Sequence, residues 1–228
     1  MADFRHIDTW LFDLDNTLYD ANSGVFPQID RNMKRFLMAE FSLEEDAAHA
    51  YQKQLYHDYG TTLSGLMAQH GLDPARFLDH VHDIDVTELG PDERLISALK
   101  RLPGRKAIFT NGSSKHAENV AGQLGILDQF DAIFDIVSAE YRPKPDKSAY
   151  DKTLAHYGVE GRSAAMFEDL KRNLVPASAL GMTTVWIAND AAWSHAYAGV
   201  PDDIDQHVHH VAETLSDFLH SIELGAAP

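Results

Sequence analysis

The chain has 228 residues and no cysteine, and its 35 Asp and Glu outweigh 19 Lys and Arg to give a formal net charge of −16. These totals exclude disulfides, thiolate metal sites and thiol nucleophiles, and they argue against a sequence-independent hold on a nucleic acid polymer, which needs clustered cations. A hydrophobic content of 44% is enough for a packed core, while no stretch reads as long and apolar enough to span a membrane. The opening Met1-Ala2-Asp3-Phe4-Arg5-His6 lacks the basic-then-apolar layout of a secretory signal, so the expected setting is cytoplasmic.

In chain order, Trp10-Leu11-Phe12 reads as a strand buried on both faces. It stops at Asp13-Leu14-Asp15-Asn16-Thr17-Leu18. Two carboxylates at the carboxyl end of a parallel strand sit where open α/β sheets bind ligands, and their repulsion favours a nearby cation. Taken alone, the same residues also suit an ordinary polar turn. From 26 to 84 apolar residues recur at threes and fours. Ile29, Met33, Phe36 and Leu37 mark a first helix, and Ser42 with Glu45 reads as a capping box opening a second through Ala47, Ala50, Tyr51 and Leu55. A third helix holds Leu63, Leu66 and Met67 up to Gly71. Asp73-Pro74 opens a fourth with Phe77, Leu78 and Val81.

From 91 onward, strands and helices alternate: helix 91–102, strand 106–110, helix 113–124, strand 132–137, helix 146–157, strand 164–167, helix 174–180 and strand 183–187. A last amphipathic helix is expected over 211–224. Such alternation implies a mostly parallel sheet covered on both faces. The predicted fold is therefore a three-layer α/β/α, Rossmann-like core with a parallel sheet, formed by 1–19 and 90–228, with a small helical cap inserted over 20–89. His207, His209 and His210 cluster without paired metal-ligand spacing and are read as surface residues.

The predicted strand ends are chemically complementary. Thr110-Asn111-Gly112-Ser113 leads into a helix N-terminus and can cradle phosphate. Arg142-Pro143-Lys144-Pro145 restricts the backbone around a lysine, and Glu168-Asp169 ends the next strand in a second acidic pair. Acidic ends that hold a cation beside ends that hold an anion meet the requirement for phosphoryl transfer.

The order Asp-Leu-Asp-Asn-Thr, Thr-Asn-Gly, Lys-Pro, Glu-Asp resembles the four motifs of the haloacid dehalogenase-like hydrolase superfamily over nearly the whole chain. The early helical insertion resembles its subgroup with a cap between motifs one and two. Asp15-Asn16-Thr17-Leu18-Tyr19, Tyr59-Gly60-Thr61-Thr62-Leu63-Ser64-Gly65-Leu66 and Glu168-Asp169 followed by Arg172-Asn173-Leu174 resemble the pyrimidine 5'-nucleotidases most. Leu170 stands where relatives often carry serine, and Asn173 where many carry aspartate, although the nucleotidase-like subgroup also has Asn there.

The resemblance implies a Mg²⁺-dependent phosphate monoester hydrolase working through an aspartyl-phosphate. Asp13 would be the nucleophile and a metal ligand, Asp15 the acid and base with its backbone carbonyl on the metal, and Asp169 the remaining metal ligand. Glu168 would act through a metal-bound water, while Thr110, Asn111, Gly112 and Lys144 would hold the phosphoryl oxygens. Cap residues Phe26, Tyr56, Tyr59 and Thr61 are candidates to meet the leaving group, each with packing as its alternative role. The expected partner is a small phosphorylated metabolite, a nucleoside monophosphate foremost. Alternatives are a phosphosugar phosphatase or phosphomutase, a dehalogenase, or a non-catalytic metal-binding regulator.

Overall fold

The computed structural model describes residues 1–189 and 204–225. In chain order the elements are β1 Asp3–Phe4, β2 Thr9–Phe12, α1 Val25–Phe41, α2 Glu45–Tyr59, α3 Thr62–His70, α4 Pro74–Val81, α5 Glu93–Arg101 and β3 Arg105–Phe109. They continue with α6 Ser114–Gln123, β4 Ala132–Phe134, α7 Lys147–Tyr157, β5 Ala164–Glu168, α8 Lys171–Ala179, β6 Thr183–Ile187, β7 His210–Ala212, α9 Leu215–Ser221 and β8 Glu223–Leu224.

Every strand pair of the main sheet is parallel, in the order β4-β3-β2-β5-β6-β7. Buried side chains alternate between its faces, as the two-residue repeat of a strand requires. Trp10, Phe12, Ile108 and Phe167 pack with α5, α6 and α9, whereas Leu11, Ala107, Phe109 and Met166 pack with α7 and α8. The result is a three-layer α/β/α, Rossmann-like fold. Helices α1 to α4 bury a separate apolar cluster built on Ile29, Phe36, Leu37, Leu55, Leu66 and Phe77. No helix among the described residues is long and apolar enough to cross a membrane.

Strand order runs outward from β2 in both directions, to β3 and β4 on one side and to β5, β6 and β7 on the other. Such a switch point opens a crevice at the carboxyl ends of the central strands. The register pairs Phe12 with both Ile108 and Phe167, so the segments after β2, β3 and β5 leave the sheet at nearly one level.

Several expected boundaries differ. Ser42 does not open a helix: with φ 51° it ends α1, its N–H donating to the Met38 carbonyl, and α2 starts after Glu44 without a side-chain cap. The buried face of α2 is Ala48, Gln52 and Leu55, so Ala47 and Ala50 point outward. Strand β4 ends at Phe134, three residues early, because Asp135 turns to hydrogen-bond Ser114 and Ser138. Helix α8 begins at Lys171, three residues before the expected start. The predicted 211–224 helix is instead strand, short helix and strand: β7 extends the sheet beside β6, Thr214 caps α9, and β8 pairs with β1.

Candidate active site

Asp13 directly follows β2, and its backbone N–H still donates to the Phe167 carbonyl at 2.9 Å, continuing the ladder to the crevice floor. Lys144 arrives there from the segment after β4 and is 1% exposed. Its Nζ donates to Asp13 Oδ1 at 2.6 Å, Glu168 Oε1 at 2.8 Å and the Phe109 carbonyl at 2.8 Å. All three ammonium donors are thereby satisfied, which a buried charge requires. Asn111 fixes the backbone that delivers this lysine: the Lys144 N–H donates to Asn111 Oδ1 at 2.8 Å, and Asn111 Nδ2 donates to the Lys144 carbonyl at 3.1 Å. Thr110 Oγ1 accepts from the Gly112 N–H at 2.9 Å and so shapes the turn after β3.

Asp13, Glu168 and Asp169 each present an oxygen within 4.8 Å of the others. One lysine cannot balance three carboxylates in a dry site. Burial, helped by Glu168 and opposed by Lys144, pushes the Asp13 carboxyl up to about 7. Burial and then Glu168 and Asp13 drive Asp169 well above the usual carboxylate range. For Lys144 burial works the other way, but Asp13 and Glu168 overcome it and hold the ammonium at about 12. Glu168 is engaged throughout: Oε1 also accepts from Asn173 Nδ2 at 2.6 Å, and Oε2 from the Leu170 N–H at 2.8 Å. Asp169 Oδ2, by contrast, is buried with no hydrogen-bond partner. An unpaired buried carboxylate oxygen is costly, and this all-oxygen donor set fits a hard divalent cation.

The Asp15 side chain lies apart from that cluster. Its Oδ1 accepts from the Tyr19 hydroxyl at 2.7 Å and bonds His116 Nε2 at 2.8 Å. Burial alone would raise this carboxyl, but the charge and hydrogen bond of His116, with the hydrogen bond from Tyr19, hold it below the ordinary value. His116 is 1% exposed and stacks against His82, with ring centroids 4.3 Å apart and planes 4° from parallel. His82, at the end of α4, bonds Ser113 Oγ through Nδ1 at 3.0 Å; burial, and after it His116, pushes its imidazole down to about 3. Helices α1 to α4 thus touch the segment between β3 and α6 directly.

A cavity of about 170 Å³ opens above these groups. Asp13, Asp15, Thr110, Asn111, Gly112, Lys144, Glu168 and Asp169 line its charged end, and Phe26, Ile29, Met33, Phe77 and Val81 its apolar end. Among the four expected cap contacts, Phe26, Tyr56 and Thr61 line it. Tyr59 does not; it is 39% exposed and borders a separate surface depression near Tyr141 and Pro143. Arg172 reaches from α8 to stack over Tyr56 at 4.5 Å, beside the cavity. In the histidine cluster, His209 Nδ1 accepts from the Thr184 N–H at 3.0 Å, an ordinary structural contact.

Sequence reading passed over His116, His82 and the role of Tyr19. His116 could have been found: it lies three residues after the Ser113 N-cap, in the first turn of a helix that starts at the crevice. His82 carries no such signal, because only the tertiary seating of α4 brings it there.

Comparison with known proteins gives the family and the fold. The family model described as haloacid dehalogenase-like hydrolase matches residues 7–181. The chain is 27% identical over 190 residues to "Phosphate metabolism protein 8" of Saccharomyces cerevisiae, covering 76% of this chain and 59% of that protein, so it spans under two thirds of that relative. It is 25% identical over 224 residues to "Pyrophosphatase PpaX" of Bacillus velezensis, covering 95% and 96%. The L-2-haloacid dehalogenase of Xanthobacter autotrophicus shares its fold at TM-score 0.58 and 16% identity, covering 94% of this chain and 97% of that one. The HAD-hydrolase YfnB of Bacillus subtilis does so at 0.59 and 18%, covering 94% and 97%. With the family model matching residues 7–181, most of the sequence, the chain belongs to the haloacid dehalogenase-like hydrolase family.

Proposed function

We propose that this protein is a Mg²⁺-dependent phosphate monoester hydrolase that works through an aspartyl-phosphate on Asp13, with 20–89 acting as a cap over a core of 1–19 and 90–228. The observation that carries the reading is the buried junction at Lys144, which ties Asp13 to Glu168 beside the unpartnered oxygen of Asp169. Asp13, Asp169 and the backbone carbonyl of Asp15 would hold the Mg²⁺, with Glu168 supporting it through a bound water. When bound, that ion supplies charge neutralisation for the phosphoryl oxygens.

The chain's own residues perform the rest. An oxygen of Asp13 attacks phosphorus, and the bond to the leaving oxygen breaks. Asp15, held low in the free site by His116 and Tyr19, takes up a proton beside the bound phosphate and delivers it to that oxygen, releasing an alcohol. Water then attacks phosphorus and returns a proton to Asp15. The aspartyl-phosphate bond breaks, freeing inorganic phosphate and the Asp13 carboxylate. The 110–112 turn holds the transferred oxygens, while the Lys144 ammonium, kept on Asp13 and Glu168, offsets their charge.

The substrate class we infer is nucleoside 5'-monophosphates, pyrimidine ones foremost. A charged floor under apolar walls from Phe26, Ile29, Met33 and Phe77 suits a phosphate whose ribose carries a flat base. A sugar phosphate has no flat apolar part to set against these walls, whereas a nucleotide can place its base there and its ribose hydroxyls near Gln52, Thr61 and Thr62, which places phosphosugar phosphatases and mutases second. The names of the yeast and Bacillus relatives agree with phosphate chemistry. Phosphate release from a panel of pyrimidine and purine monophosphates and sugar phosphates, with and without Mg²⁺, tests the reading. Pyrimidine monophosphates should turn over fastest and only with Mg²⁺. Equal rates for both bases would remove the pyrimidine assignment, and no turnover on any ester would remove the enzyme.

A further inference from the structure

Asp15 Oδ1 receives two contacts from two different parts of the chain. Tyr19 comes from the turn after β2 and His116 from the first turn of α6, at 2.7 and 2.8 Å. A carboxylate can only accept, so His116 Nε2 carries the hydrogen. Two donors fill the lone pairs of Oδ1, and a proton taken up by Asp15 must then reside on Oδ2. Two anchors on separate elements also fix the rotation of the carboxyl plane, which one anchor would leave free.

The imidazole is itself confined. The His116 backbone N–H is held by Ser113 Oγ, and its ring lies flat on His82 from the end of α4. Gly112 leaves room for both rings: a Cβ there would stand 3.3 Å from His116 Cδ2 and 3.5 Å from His82 Nε2. The seating of the helical layer and the aim of Asp15 therefore share one part.

We propose that His116 is a positioning residue for the leaving-group acid: by donating to Oδ1 while stacked under His82, it turns the Oδ2 edge of Asp15 toward the departing oxygen. This rests on the reading of Asp15 as the acid. His116 does not touch the reacting atoms and acts only through that carboxyl.

The test uses the Mg²⁺-loaded enzyme and measures kcat/KM for two esters, 4-nitrophenyl phosphate and an aliphatic phosphate. 4-Nitrophenolate departs without a proton, whereas an alkoxide needs one. His116→Asn keeps polarity and most of the volume but falls short of Oδ1; His116→Gln can place an N–H where Nε2 lies. The Asn variant should lose about 10- to 100-fold more on the aliphatic ester than on the aryl ester, at or below the low end of the roughly 10²- to 10⁴-fold that a general acid contributes, because the acid itself remains, and the Gln variant should recover most of that difference. Equal loss on both esters, or no recovery with Gln, overturns the proposal. Asp15→Asn, run alongside, must show the same selective loss. If it does not, the acid assignment itself fails, an outcome distinct from failure of His116 alone. Independently of any variant, ¹⁵N NMR of the wild type should show Nε2 of His116 as a protonated ring nitrogen, and an unprotonated Nε2 would also overturn the proposal.

Discussion

A lysine with 1% exposure must find its counter-charges inside the protein, and Lys144 finds Asp13 and Glu168. Removing it strands carboxylates in a site where burial already pushes Asp13 up to about 7. Breaking such a buried pair costs about 3–5 kcal/mol, mostly because the remaining charge is left uncompensated. Lys144→Met should therefore lower unfolding free energy by about that amount in urea titration, as well as abolishing turnover. A change below about 1 kcal/mol would mean that the ammonium is not needed to hold the cluster. At this scale the sequence was most informative where chemistry follows topology: Asp13, Lys144, Glu168 and Asp169 converge because each stands at or after the carboxyl end of a predicted parallel strand. It was silent where contact depends on packing. His82 meets His116 across 34 positions of chain, and no local pattern encodes that distance.

Among the elements, the junction of β4 and α6 shows how a single carboxylate sets a boundary. Asp135 is 5% exposed and accepts from the N–H and hydroxyl of both Ser114 and Ser138, at 2.8 to 3.0 Å. Burial would raise its pKa, but these bonds win and lower it. Because folding lowers the value, the unfolded chain takes up the proton more readily. The stabilisation is complete above the ordinary carboxylate value and is lost as pH falls through the folded one. Asp135→Ala should cost about 2–3 kcal/mol at neutral pH, and the gap from wild type should close in acid. A gap that stays constant down to acid unfolding would contradict this. The same residue explains a misplaced boundary, since Ala132 to Val137 reads as one apolar run interrupted only by that aspartate. Apolar runs located β2, β3, β5 and β6, and spacing at threes and fours located the helices of the first half, because each buries several apolar side chains in a row or on one face. It failed in the tail, where β7 and β8 span three and two residues. Runs that short carry no period, and their strand form comes from pairing with β6 and β1.

For the whole molecule, the fold brings three strand ends and one loop to a single negatively charged crevice, and a helical layer closes over it. If the cluster is a divalent-cation site, binding to the folded state alone must stabilise the protein by mass action, about 2.7 kcal/mol at a hundredfold excess over Kd. Calorimetry should show Mg²⁺ raising the melting temperature by several degrees, with Asp169→Asn removing the effect. An equal shift in that variant would place the ion elsewhere. The central claim, however, concerns Asp13 and phosphorus. The most direct test is to quench the Mg²⁺-loaded enzyme during turnover of a phosphate monoester, reduce it with borohydride and map the peptides by mass. An acyl phosphate at Asp13 is reduced to homoserine, so the account predicts homoserine at position 13 and aspartate at position 15. Turnover with both residues recovered as unmodified aspartate, or with homoserine at 15, 168 or 169 instead, would contradict it.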